Sequence, residues 1–263
     1  MTLSKDEIQS LAEGLWHAEQ TGEWAESVTT RHPDADVEDA YAVGMAVRAL
    51  KLAAGRRVRG HKVGLTSKAM RDMTGATEPD YGFMYDDMFV LEGQTVERSS
   101  FNRPLVEVEM AFVMGSRLEG PNVNAADVIR ATDFVLPALE IVDNRYRKLG
   151  PNMLVDSIAD AAMCGKVVLG GNPRKLTDLD IRRVSGTLAI NGQIVETGTA
   201  TAVMANPINA VVWLANTLHR FGTAMEAGDV ILSGSFVRAV PFNAGDSLVA
   251  LFDPLGEVTL NVA

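Results

Sequence analysis

Two apolar segments constrain this chain more than anything else in it. Pro104-Leu105-Val106-Glu107-Val108-Glu109-Met110-Ala111-Phe112-Val113 reads as a strand with Val106, Val108, Met110 and Phe112 on one face. Side chains alternate along a strand, so Glu107 and Glu109 must share the other face. Phe134-Val135-Leu136-Pro137-Ala138-Leu139-Glu140-Ile141-Val142 is a second strand, with a lone acid between Leu139 and Ile141. A carboxylate set in an apolar strand is costly unless it is paired or binds a metal. Glu107 and Glu109 could instead lie on a solvated sheet face. Glu140 could pair with Arg145 or Arg147. Taken together, the three acids point to a hard divalent cation, which takes oxygen ligands and keeps positions for substrate oxygens.

The surrounding chain predicts an α+β domain. Ser4 with Glu7 three positions on is a capping box, followed by Ile8, Leu11, Leu15 and Trp16 at helical spacing, with Gly22 near the end. A second helix is expected over Val37–Ala54 with Gly55 as its cap, and a connector through Arg31-His32-Pro33-Asp34. A further strand is expected at Arg57–Leu65, the Glu-Val-Glu strand is expected to run over Leu105–Met114, and a hairpin over Thr187–Val195 turning at Asn191-Gly192 and a helix at Ile208–Phe221 follow. Asp229–Leu232, Ser247–Phe252 and Glu257–Val262 complete the strands. Helices gathered at the front and at one later position fit α+β better than a doubly wound sheet.

Composition excludes more than it assigns. A net charge of −10 argues against nucleic acid or an anionic membrane as partner. One cysteine, Cys164, rules out an internal disulfide and a cysteine-rich zinc site. No signal-like segment and no apolar run of about 20 residues occurs, so a soluble cytoplasmic protein is expected. Dinucleotide, phosphate-loop, zinc-protease and nucleophile-elbow motifs are absent.

Several spaced motifs occur in order along the chain. They are Gly60-His61-Lys62-Val63-Gly64-Leu65-Thr66-Ser67, Glu78-Pro79-Asp80-Tyr81-Gly82, the Glu-Val-Glu strand and Pro137-Ala138-Leu139-Glu140. Ser157-Ile158-Ala159-Asp160 and Ala227-Gly228-Asp229-Val230-Ile231-Leu232-Ser233-Gly234-Ser235 follow. Over nearly its whole length the chain resembles the 2-keto-4-pentenoate hydratase and 4-oxalocrotonate decarboxylase family of the fumarylacetoacetate hydrolase superfamily.

The resemblance implies a mixed multilayer β fold with an N-terminal helical segment over 1–55 and a catalytic domain over 56–263, packed as one unit. It implies Mg²⁺ or Mn²⁺ held by Glu107, Glu109 and Glu140, with Lys62 and Asp80 as acid/base groups. Leu65, Asp160, Ser233 and Ser235 would meet the substrate. Lys62 by itself could be a surface lysine, Asp80 a turn residue, Asp160 a helix-surface acid, and Ser233-Gly234-Ser235 a tight turn. Beside a cation the Lys62 pKa would fall.

The implied reaction, in meta-cleavage degradation of aromatic compounds, adds water to a 2-hydroxydienoate or its 2-oxoenoate tautomer, giving a 4-hydroxy-2-oxo acid. The alternative is decarboxylation of 2-oxo-3-hexenedioate on the same scaffold. A carbon–carbon hydrolase, an acylpyruvase and a non-catalytic partner are further readings. Residues 60–70 stand nearer to hydratases acting on 2-oxohept-4-ene-1,7-dioate. Ala161 replaces an Asn common among relatives, and Lys166 stands where some decarboxylases carry a basic residue. Arg145, Arg147, Lys166 and Arg238 are candidates for meeting a second substrate carboxylate. Homo-oligomers, as pentamers or decamers, and association with a hydratase or decarboxylase partner are also implied.

Overall fold

A computed structural model describes residues 2–263. Helices come first, α1 (Lys5–Thr21), α2 (Val28–Arg31) and α3 (Val37–Ala53). Ser4 and Glu7 make the expected reciprocal cap, and Gly22 ends α1 in the left-handed region at φ 73°. The expected connector contains α2, a single turn too short to register as a hydrophobic period. Next come β1 (Val58–Gly64), α4 (Lys68–Thr74), β2 (Asp80–Tyr85), β3 (Phe89–Val90) and β4 (Thr95–Val96). The central elements are β5 (Pro104–Met114), α5 (Ala125–Ala131), β6 (Thr132–Asp143), α6 (Met153–Ala159) and β7 (Cys164–Leu169). Then follow β8 (Ser185–Ile190), β9 (Gln193–Thr199), α7 (Pro207–His219), β10 (Val230–Ser235), β11 (Val240–Pro241), β12 (Ser247–Asp253) and β13 (Gly256–Val262).

The α+β class holds, with one correction. α4, α5 and α6 interrupt the strands, so helices are not confined to the front and one later position. Each has seven residues, about two turns, which is too few for an apolar stripe to repeat. Among the described residues no helix is long and apolar enough to cross a membrane.

The strands form two sheets. The larger runs β2-β1-β10-β5-β6-β7-β3, with β11 also paired to β5, and the smaller runs β4-β13-β12-β8-β9. The smaller sheet covers the apolar face of β5. A Cβ on Gly186 of β8 would lie only 2.8 Å from Val108 Cγ1, and Val106, Val108 and Met110 are fully buried. Asn191 and Gly192 both have positive φ, 52° and 75°, as a two-residue hairpin turn between β8 and β9 requires. At the N-terminal end α1 packs on α3 and α3 on α6.

β1 and β10 are parallel neighbours, with Gly60 opposite Val230 and Lys62 opposite Leu232. Gly60 has φ 147°, and a Cβ there would fall 1.8 Å from Val230 O. Only glycine allows this approach, which carries Lys62 into the sheet. Gly60→Ala is expected to lower unfolding free energy by about 2–4 kcal/mol, read by denaturant titration. A loss below about 0.5 kcal/mol would show that the pairing tolerates a side chain.

Candidate active site

The antiparallel register of β5 and β6 sets Glu107 directly opposite Glu140 and Glu109 opposite Ala138. Strand alternation then puts all three glutamates on the face that the smaller sheet leaves free. One carboxylate oxygen from each lies within 4.8 Å of the others. Glu109 and Glu140 are buried and Glu107 is half-buried.

A break in the β10–β5 register between Leu232 and Ser235 supplies the next contact. At this bulge Gly234 takes φ 113°, and its N–H donates to Glu109 Oε2 at 2.8 Å. Its missing side chain also admits Thr66, whose Oγ1 would lie 2.2 Å from a Cβ. Neither flanking serine turns to the glutamates. Ser233 Oγ donates to Met110 O at 3.1 Å, and Ser235 Oγ donates to Val108 O at 3.3 Å.

Lys62 completes the cluster from β1. Its buried ammonium lies 3.2 Å from Glu140 Oε1 and donates to Ala162 O at 3.0 Å. The partner of Glu140 is thus this lysine, not Arg145 or Arg147. Burial opposes the charge on Lys62, but Glu140, Glu107 and Asp80 outweigh it and raise the ammonium above the usual lysine range. The protein's own charges therefore act against the fall expected beside a bound cation. Burial pushes the Glu107 carboxyl up to about 7, opposed by Lys62 and reinforced by Glu140. Glu109 is raised well above its ordinary value by burial, Glu140 and Glu107.

Asp80 is the first residue of β2, not a turn residue, and is buried. Ser157 Oγ of α6 donates to its Oδ2 at 2.6 Å, while Oδ1 has no hydrogen-bond partner. Asp80 and Lys62 both reach into the space left by the missing side chain of Gly64. A Cβ on that glycine would lie 2.2 Å from Asp80 Oδ1 and 3.4 Å from Lys62 Nζ. Burial raises the Asp80 carboxyl, with Lys62 and Ser157 opposing the shift. Leu65 follows in the left-handed region at φ 54°, and its carbonyl accepts from Arg71 Nη1 at 2.7 Å.

Asp160 is a buried C-cap of α6, not a surface acid. Arg145 Nη1 donates to its Oδ1 at 2.7 Å, and burial nevertheless pushes the carboxyl up to about 6. Immediately after it, Ala161, Ala162 and Met163 have φ of 51°, 53° and 57°. A left-handed residue with a side chain costs on the order of 1 kcal/mol, so three in succession mark a backbone held by its surroundings. This turn presents the Ala162 carbonyl to Lys62.

Three contacts carry no signal at the level of single residues. They are the Gly234 N–H, the Ala162 carbonyl and the Ser157 hydroxyl, although Ser157 and Gly234 lie within motifs quoted above. Of the cations considered for a second substrate carboxylate, three have other partners. Arg145 bonds Asp160, Lys166 Nζ donates to Asp87 O at 2.8 Å, and Arg238 pairs with Glu196. Arg147 is exposed and lines a groove with Trp24 and Lys148.

The donor set suits a divalent cation. Glu109 Oε1 and Glu140 Oε2 are buried without a hydrogen-bond donor, and Glu140 Oε1 has only the Lys62 ammonium at 3.2 Å. Three carboxylates that bring an oxygen each within 4.8 Å of the others, with buried oxygens of Glu109 and Glu140 lacking a donor, match the hard-cation preference for carboxylates.

Residues 48–263 match the family described as fumarylacetoacetate (FAA) hydrolase C-terminal. The chain is 42% identical over 254 residues to 2-oxo-hept-4-ene-1,7-dioate hydratase of Escherichia coli, covering 95% of each. It is 36% identical to 4-oxalocrotonate decarboxylase of Pseudomonas sp. (strain CF600), covering 98% of this chain and 97% of that one. The solved structure of 4-oxalocrotonate decarboxylase from Pseudomonas putida G7, complexed with magnesium and adipate, superposes with a TM-score of 0.95. That pair is 34% identical, with coverage of 100% of this chain and 99% of that one. A match over most of the chain and relatives alike from end to end lead to one conclusion: the chain belongs to the fumarylacetoacetate hydrolase family.

Proposed function

We propose that this protein is a Mg²⁺- or Mn²⁺-dependent hydratase of the 2-keto-4-pentenoate hydratase type. It would add water to a 2-hydroxydienoate or 2-oxoenoate and give a 4-hydroxy-2-oxo acid, in meta-cleavage degradation of aromatic compounds. The observation that carries the reading is the buried Glu107, Glu109 and Glu140 cluster with Lys62 and Asp80 beside it. The likeness to the E. coli hydratase favours water addition over decarboxylation.

The three glutamates would hold the cation, with Gly234 N–H fixing the direction of Glu109. When bound, a divalent cation polarises the oxygens of a chelating 2-oxo acid and stabilises negative charge on them. Lys62 keeps a proton on Nζ beside Glu140, where it can be given to the substrate and recovered. Asp80 is the second acid/base group. Its Oδ2 is oriented by Ser157, its Oδ1 is free, and burial raises its carboxyl above the usual aspartate range. Moving a proton from the 2-hydroxyl to the far end of the diene makes the conjugated 2-oxo acid. Water then adds at C4 while a proton is delivered to C3. Two proton carriers flanking Gly64 suit these paired transfers.

The proposal places the enzyme in the cytoplasm as a homo-oligomer, pentamer or decamer. Association with a hydratase or decarboxylase partner is part of it, supported by the resemblance and by the names of the relatives.

Product analysis by NMR tests the reaction. 2-Hydroxypenta-2,4-dienoate and the six- and seven-carbon dicarboxylate analogues are supplied in parallel. A 4-hydroxy-2-oxo product is expected, whereas CO₂ release or two carbon fragments would replace the hydratase reading. Glu109→Gln removes one anionic ligand and should weaken Mn²⁺ binding and turnover by about 100-fold or more, with the circular dichroism unchanged. Undiminished turnover would remove Glu109 from the site.

Protons and the cation compete for the same oxygens. Glu107 and Glu109 are raised in the folded chain, Glu107 up to about 7, so without a cation these two carboxyls hold more protons than they do in the unfolded chain as pH climbs from the ordinary carboxylate range to about 7. Stability without a cation should therefore fall as pH rises through that window. Mn²⁺ should raise the melting temperature more at about pH 8 than at about pH 5.5, because the ligands must be deprotonated. An equal or larger shift at the lower pH would count against the cluster as the binding site.

A further inference from the structure

The carbonyl that receives the Lys62 ammonium lies in the three-residue left-handed turn Ala161-Ala162-Met163, none of whose members is glycine. Such backbone persists only where its neighbours over-determine it. On the β2 side, Gly82 makes room, since a Cβ there would lie 1.9 Å from Ala161 O. On the other side stands Arg145, buried at 5% exposure. Its Nη1 donates to Asp160 Oδ1 at 2.7 Å and its Nη2 donates to Cys164 O at 2.7 Å. One planar fork thus bonds the residue before the turn and the residue after it, and so sets the distance between them.

The arginine is itself held. Glu19 Oε2 of α1 lies 3.6 Å from Arg145 Nε, and the buried Lys51 Nζ of α3 lies 2.5 Å from the same Glu19 oxygen. Glu19 precedes residue 48, where the family match begins. The N-terminal helices therefore contribute to the setting of a residue deep in the sheet domain.

We propose that Arg145 is a positioning residue for Lys62: by bracketing the 161–163 turn it holds Ala162 O where the Lys62 ammonium must bond it, and so keeps that ammonium beside Glu140. Arg145 acts through the turn, since its side-chain partners are Asp160, Cys164 and Glu19 and none of the three glutamates. The inference rests on the reading of Lys62 as a proton carrier.

Arg145→Lys keeps a cation against Asp160 but cannot donate in two fixed directions. Wild-type product identity is established first, so a failure of the hydratase reading is seen there and not in the variant. In the variant, Mn²⁺ titration should still find wild-type stoichiometry, and KM should stay within about threefold. The kcat should fall about tenfold or more, as a displaced proton carrier predicts.

A double-mutant cycle with Lys62→Met supplies the discriminating readout. Arg145→Lys should slow the Lys62→Met protein no further, because the group it positions is already gone. An unchanged kcat in the single variant, or an equal fall in both backgrounds, would overturn the proposal. If Arg145→Lys does not fold, Asp160→Asn keeps the side-chain shape and enters the same cycle with the same criteria. Amide hydrogen exchange reads the clamp without substrate. Residues 161–164 should exchange faster in the variant, and unchanged exchange there would overturn the proposal whatever reaction the wild type performs.

Discussion

Everything at this site follows from forcing three carboxylates onto one patch of a sheet. Two unit charges at the separation of the Glu107, Glu109 and Glu140 oxygens repel by on the order of 3 kcal/mol at an effective dielectric of 20. Burial of Glu109 and Glu140 adds a desolvation cost on top. Lys62 and one backbone N–H offset part of this and leave Glu109 Oε1 and Glu140 Oε2 without partners. A cluster so arranged is poorly adapted to being an ion pair and well adapted to receiving a cation.

The sheet tolerates this because its other face is conventional. Val106, Val108 and Met110 pack beneath the smaller sheet, so the pairing of β5 with β6 is stabilised by apolar burial independent of the glutamates. The register that buries those side chains is the same one that sets Glu107 against Glu140. A slip by one residue would expose the core and scatter the acids together.

Around this rigid pair, backbone irregularity aims the remaining groups. The bulge at Gly234 turns an N–H from the ladder toward Glu109. Gly64 leaves the gap into which Lys62 and Asp80 both reach, and Gly82 lets the 161–163 turn come against β2. The left-handed turn then offers a carbonyl to the lysine. Each device combines a residue without a side chain and a neighbour that fills the space, which is why the site reads as a set of close backbone approaches.

Alternation and apolar period were enough to find the long strands, the capped helix α1 and the hairpin at Asn191-Gly192, because those signals are local. They were enough also to put Glu107 and Glu109 on one face. The family match could be read from spaced motifs. Elements of about two turns or less, such as α2, α5 and α6, were not legible, since a hydrophobic period needs several repeats to be seen. Asp80 follows Pro79, which leaves a turn residue open as a local alternative to an acid/base group, and only pairing with β1 makes it a strand residue. Glu140 had arginines near it in sequence, yet its partner is Lys62, far from it along the chain. By itself, then, the sequence determined the strand faces, the acidic character of the site and the family. Only the tertiary structure decided which charges meet, that the two serines bond strand backbone, and that Arg145 and Asp160 bracket a turn. Alternation is a property of one segment, whereas an ion pair or a close approach depends on the register between segments distant in the chain.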